Sequence, residues 1–95
     1  MPLRFHPLAT GEAEAAFRWY RQQSVQAADG FYEELLPAFA QIQTQPQLYP
    51  AYLYGTRRLV LHHYPFSVIF RICEDNTQVV AVAHAKRRPG YWRQR

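Results

Sequence analysis

The sequence predicts an α+β fold: an N-terminal strand and a two-helix hairpin packed on an antiparallel sheet that a three-stranded C-terminal meander completes. Apolar residues recur at intervals of three and four through the first half, which is helical spacing, and from Thr56 onward the period shortens to two. The 95 residues are 48% apolar, with two Trp, seven Tyr and six Phe, enough to bury one compact core without covalent staples. A single domain over residues 1–95 is therefore expected.

Leu3-Arg4-Phe5-His6 alternates and is closed by Pro7, so it reads as the first strand. Thr10 is the expected N-cap of the first helix, with Glu12 and Glu14 in its first turn and an end near Gln23. Ala13, Ala16, Phe17, Tyr20 and Ser24 form its inward stripe, and Arg18, Arg21 and Gln22 face away. A second helix is expected from about Ala27 to Thr44, buried along Phe31, Leu35, Phe39 and Ile42 with Glu33 and Glu34 outside. Pro37 lacks a backbone donor and clashes with the carbonyl four residues back, so a kink or change of helix is expected near residues 33–36.

Residues 45–55 contain Pro46, Pro50 and Gly55 and read as irregular chain, with Tyr49, Tyr52 and Tyr54 capping the edge of the core. Three strands follow: Arg57 to Leu61, Phe66 to Ile72, and Gln78 to Ala85, joined by turns at residues 62–65 and 74–77. In the middle strand Phe66, Val68, Phe70 and Ile72 share the face that takes the helices, and Ser67, Ile69 and Arg71 share the other. That second face is expected to display arginine. The core expected from these patterns includes Phe17, Leu35, Phe39, Val68, Phe70 and Val82.

Charge is distributed unevenly. Residues 1–56 carry −2 and residues 57–95 carry +6 of the formal net charge of +4. The last dozen residues hold Lys86, Arg87, Arg88, Arg93 and Arg95 with Tyr91 and Trp92, one histidine and no acid. Exposed cations and ring faces together suit a polyanion or an acidic partner chain. The lone Cys73 excludes an internal disulfide and has no base beside it in the sequence, so a packed thiol is expected. The sequence lacks a run long enough to span a membrane and the basic-then-apolar order of a signal peptide, and a cytoplasmic protein is expected. His62 and His63, without a spaced third ligand, make no metal site.

The stretches RRLVLHHYPFSVIFRI and VVAVAHAKRRPGYW, with the earlier FRWY and FYEELL and the order strand, two helices, meander, resemble the RelE/ParE superfamily of toxins from type II toxin–antitoxin systems. The resemblance covers nearly the whole chain. It implies a growth-inhibiting toxin neutralised by a cognate antitoxin in a heterodimer or larger assembly, without a cofactor. Relatives of the ParE kind poison DNA gyrase by binding. Relatives of the RelE kind cut messenger RNA on the ribosome, where a 2′-hydroxyl attacks the adjacent phosphate with help from a base, cations and an acid.

Carried over to this chain, the RNA-cutting set is Arg58 and Arg71 on phosphate with His84 or Tyr91 as the acid. The base, typically a glutamate or lysine near the start of the meander, has no counterpart in residues 45–61. His62 and His63 stand in the turn after the first meander strand as replacements. The missing base ranks gyrase inhibition first, RNA cleavage second, and action through an operator-binding repressor complex with the antitoxin third. Arg57, Arg71, Lys86, Arg87, Arg88, Tyr91 and Trp92 are the expected target- and antitoxin-binding residues.

Overall fold

The computed structural model describes residues 1–95. Strand β1 (Leu3–Phe5) is followed by helices α1 (Pro7–Gln23) and α2 (Val25–Thr44), short 3-10 turns at Pro46–Leu48 and Leu53–Gly55, and strands β2 (Arg57–Val60), β3 (Phe66–Ile72) and β4 (Thr77–His84). The sheet order is β1-β4-β3-β2. The meander pairs antiparallel, but β1 lies parallel to β4, so the sheet is mixed. The direction follows from connectivity: the two helices between β1 and the meander run out and back, so β2 starts level with β1 at the other edge of the sheet and two reversals leave β4 parallel to β1.

Helix α1 starts earlier than expected. Pro7 opens it instead of ending β1, and His6, not Thr10, is the N-cap, its Nδ1 accepting from the Leu8 amide at 3.1 Å. A proline suits this position because its missing N–H has no helical partner to lose. Glu12 consequently lies beyond the first turn. Ser24, expected on the buried stripe, is the extended joint between the helices: its amide closes α1 on the Tyr20 carbonyl and its hydroxyl accepts from the Ala27 amide to cap α2.

Helix α2 runs unbroken across Pro37, with no change of helix. Phe31, Leu35, Ala38 and Ile42 are buried on one stripe on both sides of the proline, while Pro37 and Glu33 are exposed. Water can therefore satisfy the Glu33 carbonyl that the proline leaves without a donor. Glu34 is not simply outside. Its carboxylate accepts from the amides of His62 and His63, the latter at 3.1 Å, and clamps the β2–β3 turn onto α2. Gly30 permits a second clamp, in which the Tyr64 hydroxyl donates to the Ala27 carbonyl at 2.8 Å. A Cβ at residue 30 would lie 2.4 Å from that hydroxyl.

The helices cover one face of the sheet, where Ala9, Ala13, Phe31, Leu35, Ile42, Val68, Phe70, Val79 and Val82 form the main core and Phe17 and Phe39 pack at its margin. The opposite face is not an open arginine face. The C-terminal segment folds back across it and buries Trp92, 2% exposed, against Ile69, Val80, Ala81 and Ala83. A register shift at Ile69/Phe70 gives β4 an extra residue, which lets the adjacent Val80 and Ala81 both serve this second core. Cys73 is a half-buried free thiol just beyond β3.

Trp92→Ala is expected to cost about 3–5 kcal/mol of stability by urea unfolding. Trp92→Phe should cost clearly less, because it also discards an indole N–H that is buried without a partner. Burial works against the Glu34 carboxylate, yet the two turn amides and the neighbouring His63 hold its pKa below the ordinary value. Its stabilising contribution is complete above the ordinary glutamate range, about pH 4.3, and is lost as pH falls through the lowered value. Glu34→Gln should accordingly flatten the acid limb of a stability–pH curve.

Candidate interaction surface at the C-terminal segment

Strand β1 pairs only with residues 77–79 of β4, which leaves the remainder of that edge without a neighbouring strand. Side chains finish it. Glu12, projecting from α1, accepts from the Val82 amide at 3.0 Å, and Arg95 donates to the Val80 carbonyl at 3.1 Å. The two side chains meet in a fork, with Nη1–Oε1 at 2.9 Å and Nη2–Oε2 at 3.0 Å, and the Tyr91 hydroxyl donates to Oε2 at 2.7 Å. One carboxylate thus joins α1, β4 and the C-terminal segment. Burial, with the hydrogen bond to Glu12 and its charge, pushes the Tyr91 pKa above its ordinary value. The Glu12 hydrogen bond likewise raises that of Arg95, against the effect of burial.

This anchoring corrects the expectation that Tyr91 and Trp92 are exposed beside the cations. From His84 the chain advances through successive turns, closed by amide-to-carbonyl bonds from Arg87 to His84, Tyr91 to Arg88, Arg93 to Gly90 and Arg95 to Trp92. Trp92 is a core residue stacked on Tyr52 at 5.6 Å, so it is not an exposed contact, and Tyr91 is half-buried and committed to Glu12. Lys86, Arg87 and Arg88 are exposed, as expected, on a loop held at both ends. Arg87 lies over the Tyr91 ring at 3.8 Å and Arg58 over the Tyr52 ring at 4.1 Å.

The residues of the RNA-cutting set are divided between the two sides of the sheet. His84 is paired with Phe66, its ring 4.9 Å from the Phe66 ring on the helix side, in a cleft with Trp19, Tyr20 and Lys86. Its Nδ1 accepts from the Lys86 amide at 3.0 Å. Arg58 pairs with Ile69, and Arg71 alternates with the core residues Phe70 and Ile72, so both belong to the opposite face. Arg57 is drawn inward and donates to the Tyr49 carbonyl at 2.7 Å. His62 and His63 are exposed in the turn over Glu34, at the end of the sheet where β4 finishes in His84 and the Ala85 amide donates to the Pro65 carbonyl at 2.8 Å.

Sequence reasoning missed Glu12, Arg95 and Tyr54. The first two are 83 residues apart, and no local pattern couples them. Tyr54 carried a faint signal in its place before Gly55, since both adopt positive φ, 58° and 73°.

Glu12→Gln is expected to cost about 3 kcal/mol, because it leaves the largely buried Arg95 guanidinium without its counter-charge. Hydrogen exchange at the Val82 amide should accelerate with it. For Tyr91 the neutral phenol is the form the fold favours, so its contribution is complete below about pH 10 and is lost as pH rises through the raised value. Tyr91→Phe should remove that alkaline dependence and cost about 1–3 kcal/mol.

The sequence of residues 3–89 matches the family model of the ParE toxin of type II toxin–antitoxin systems, parDE. Comparison with curated protein sequences yields no match. Among solved structures, the fold is similar to a chain of the chromosomal ParDE toxin–antitoxin system from P. aeruginosa. The TM-score is 0.79 at 20% identity, over 90% of this chain and 97% of that one. Since the family match spans nearly all of the strands, the helices and the basic loop, the chain belongs to the ParE toxin family of type II toxin–antitoxin systems.

Proposed function

We propose that this ParE-family toxin arrests growth by binding DNA gyrase, and that a cognate antitoxin holds it inactive by covering the basic C-terminal surface. The observation that carries this reading is the division of the RNA-cutting set. His84 is on the helix side of the sheet, Arg58 and Arg71 are on the other, and the Tyr91 hydroxyl is already donated to Glu12. In-line attack by a 2′-hydroxyl requires base, acid and phosphate-binding cations around one phosphate, with the acid free to give up its proton. Inhibition by binding requires only a stable surface. The loop of Lys86, Arg87 and Arg88 supplies one whose cations form no ion pair within the chain.

The antitoxin segment that fits is acidic and amphipathic. Arg71, Arg87 and Arg88 attract its charge, and the exposed apolar side chains of Leu8, Trp19 and Leu36 on the helices offer the apolar contact that survives high salt.

Purified protein should block gyrase supercoiling with accumulation of cleaved DNA, and should leave transcripts intact in a translating extract. Lys86→Gln combined with Arg87→Gln should stay folded, losing at most about 1 kcal/mol from the Arg87–Tyr91 contact, while inhibition falls at least tenfold. Codon-phased transcript cuts abolished by His84→Ala would replace this reading with ribosome-dependent RNA cleavage.

A further inference from the structure

Beside the basic loop a cleft of about 330 Å³ is lined by Tyr54, Arg88, Gly90, Tyr91, Arg93 and Gln94 among others, and no carboxylate lines it. Three independent features converge there. Tyr54 is the chain's one non-glycine residue with positive φ (58°, ψ 44°), a left-handed conformation that is costly for an aromatic residue, and its side chain is half in solvent instead of anchored in the core. Gly90, at φ 85°, brings its backbone against the ring so closely that a Cβ would lie 2.7 Å from Tyr54 Cε2. Arg93 places its guanidinium 4.7 Å from the Tyr54 ring centroid, and neither Arg93 nor Arg88 has an acidic partner.

Strained backbone that the surroundings hold in place, an exposed ring and two uncompensated guanidinium groups are not what stability of the chain alone requires. They match the chemistry of a nucleotide, which offers a flat base to a ring and a phosphate to arginine. We propose that this cleft binds one nucleotide unit of a single-stranded nucleic acid, with its base on Tyr54 and its phosphate held by Arg88 and Arg93. A duplex is a poor fit, because its bases are stacked on one another and closed to a ring at the surface. The site does not depend on which enzyme the toxin inhibits.

The test is a titration of the purified chain with a fluorescein-labelled ten-nucleotide single strand, read by anisotropy at several salt concentrations. Tyr54→Asn removes the ring and keeps a residue that tolerates the left-handed backbone. It should weaken binding at least about fivefold without changing the salt slope. Arg93→Gln should lower the log–log salt slope by about 0.7, the loss of one phosphate contact on a single strand. Circular dichroism melts of both variants should match the parent. The proposal is overturned by absence of binding, by unchanged binding of Tyr54→Asn, by equal affinity for a duplex of the same length, or by inorganic polyphosphate displacing the strand as well as unlabelled oligonucleotide does. None of these readouts uses gyrase, so failure here and failure of the gyrase reading are separate results.

Discussion

The carboxylate of Glu12 is the constraint on which the C-terminal half of the molecule depends. A sheet edge without a neighbouring strand exposes backbone donors and acceptors, and natural folds cover or pair such edges to prevent association. Here β1 is three residues long and β4 is eight, so most of the β4 edge lacks a neighbouring strand. Glu12 and Arg95 act together as a substitute partner, one satisfying the Val82 amide and the other the Val80 carbonyl. Neither charge is tolerable alone at this degree of burial, about 16% and 12% side-chain exposure, but as a fork each satisfies the other.

That fork converts a basic terminus into a docked element. With Tyr91 and Arg95 fastened to α1, Trp92 is drawn onto the second face of the sheet, and Tyr52 stacks over it. The cations between His84 and Tyr91 are then displayed on a short, closed loop. Less ordering entropy remains to be lost when a target binds such a loop than when it binds a free tail. Stability and presentation of the loop thus share the same residues.

The two faces of the sheet carry different duties. The helix face holds the main core and, at its margin, His84 beside Phe66, Tyr20 and Trp19. The opposite face holds the small second core, flanked by Arg58, while Lys86 and Arg87 of the basic loop line clefts beside His84.

Much of the architecture was legible in the sequence because it rests on local periodicity. The run Phe66 to Ile72 alternates clearly, and β3 has those bounds. The stripe Phe31, Leu35, Phe39 and Ile42 located α2, although Phe39 lies at the core margin and Ala38 takes the buried position, and the meander followed from short turns between apolar runs. Local chemistry misled where a residue had two possible uses: Pro7 served as a helix start, Ser24 as a cap, and Pro37 as an exposed helical position. What only the tertiary structure decided were contacts at large sequence separation: Glu12 with Arg95, Glu34 with the His62–His63 turn, and Trp92 with Ile69. Composition at residues 84–95 announces charge and aromatic rings but not their direction. Whether a tryptophan beside arginines is a contact or a core residue depends on whether an apolar face elsewhere is left uncovered, and in this chain the second face of the sheet was.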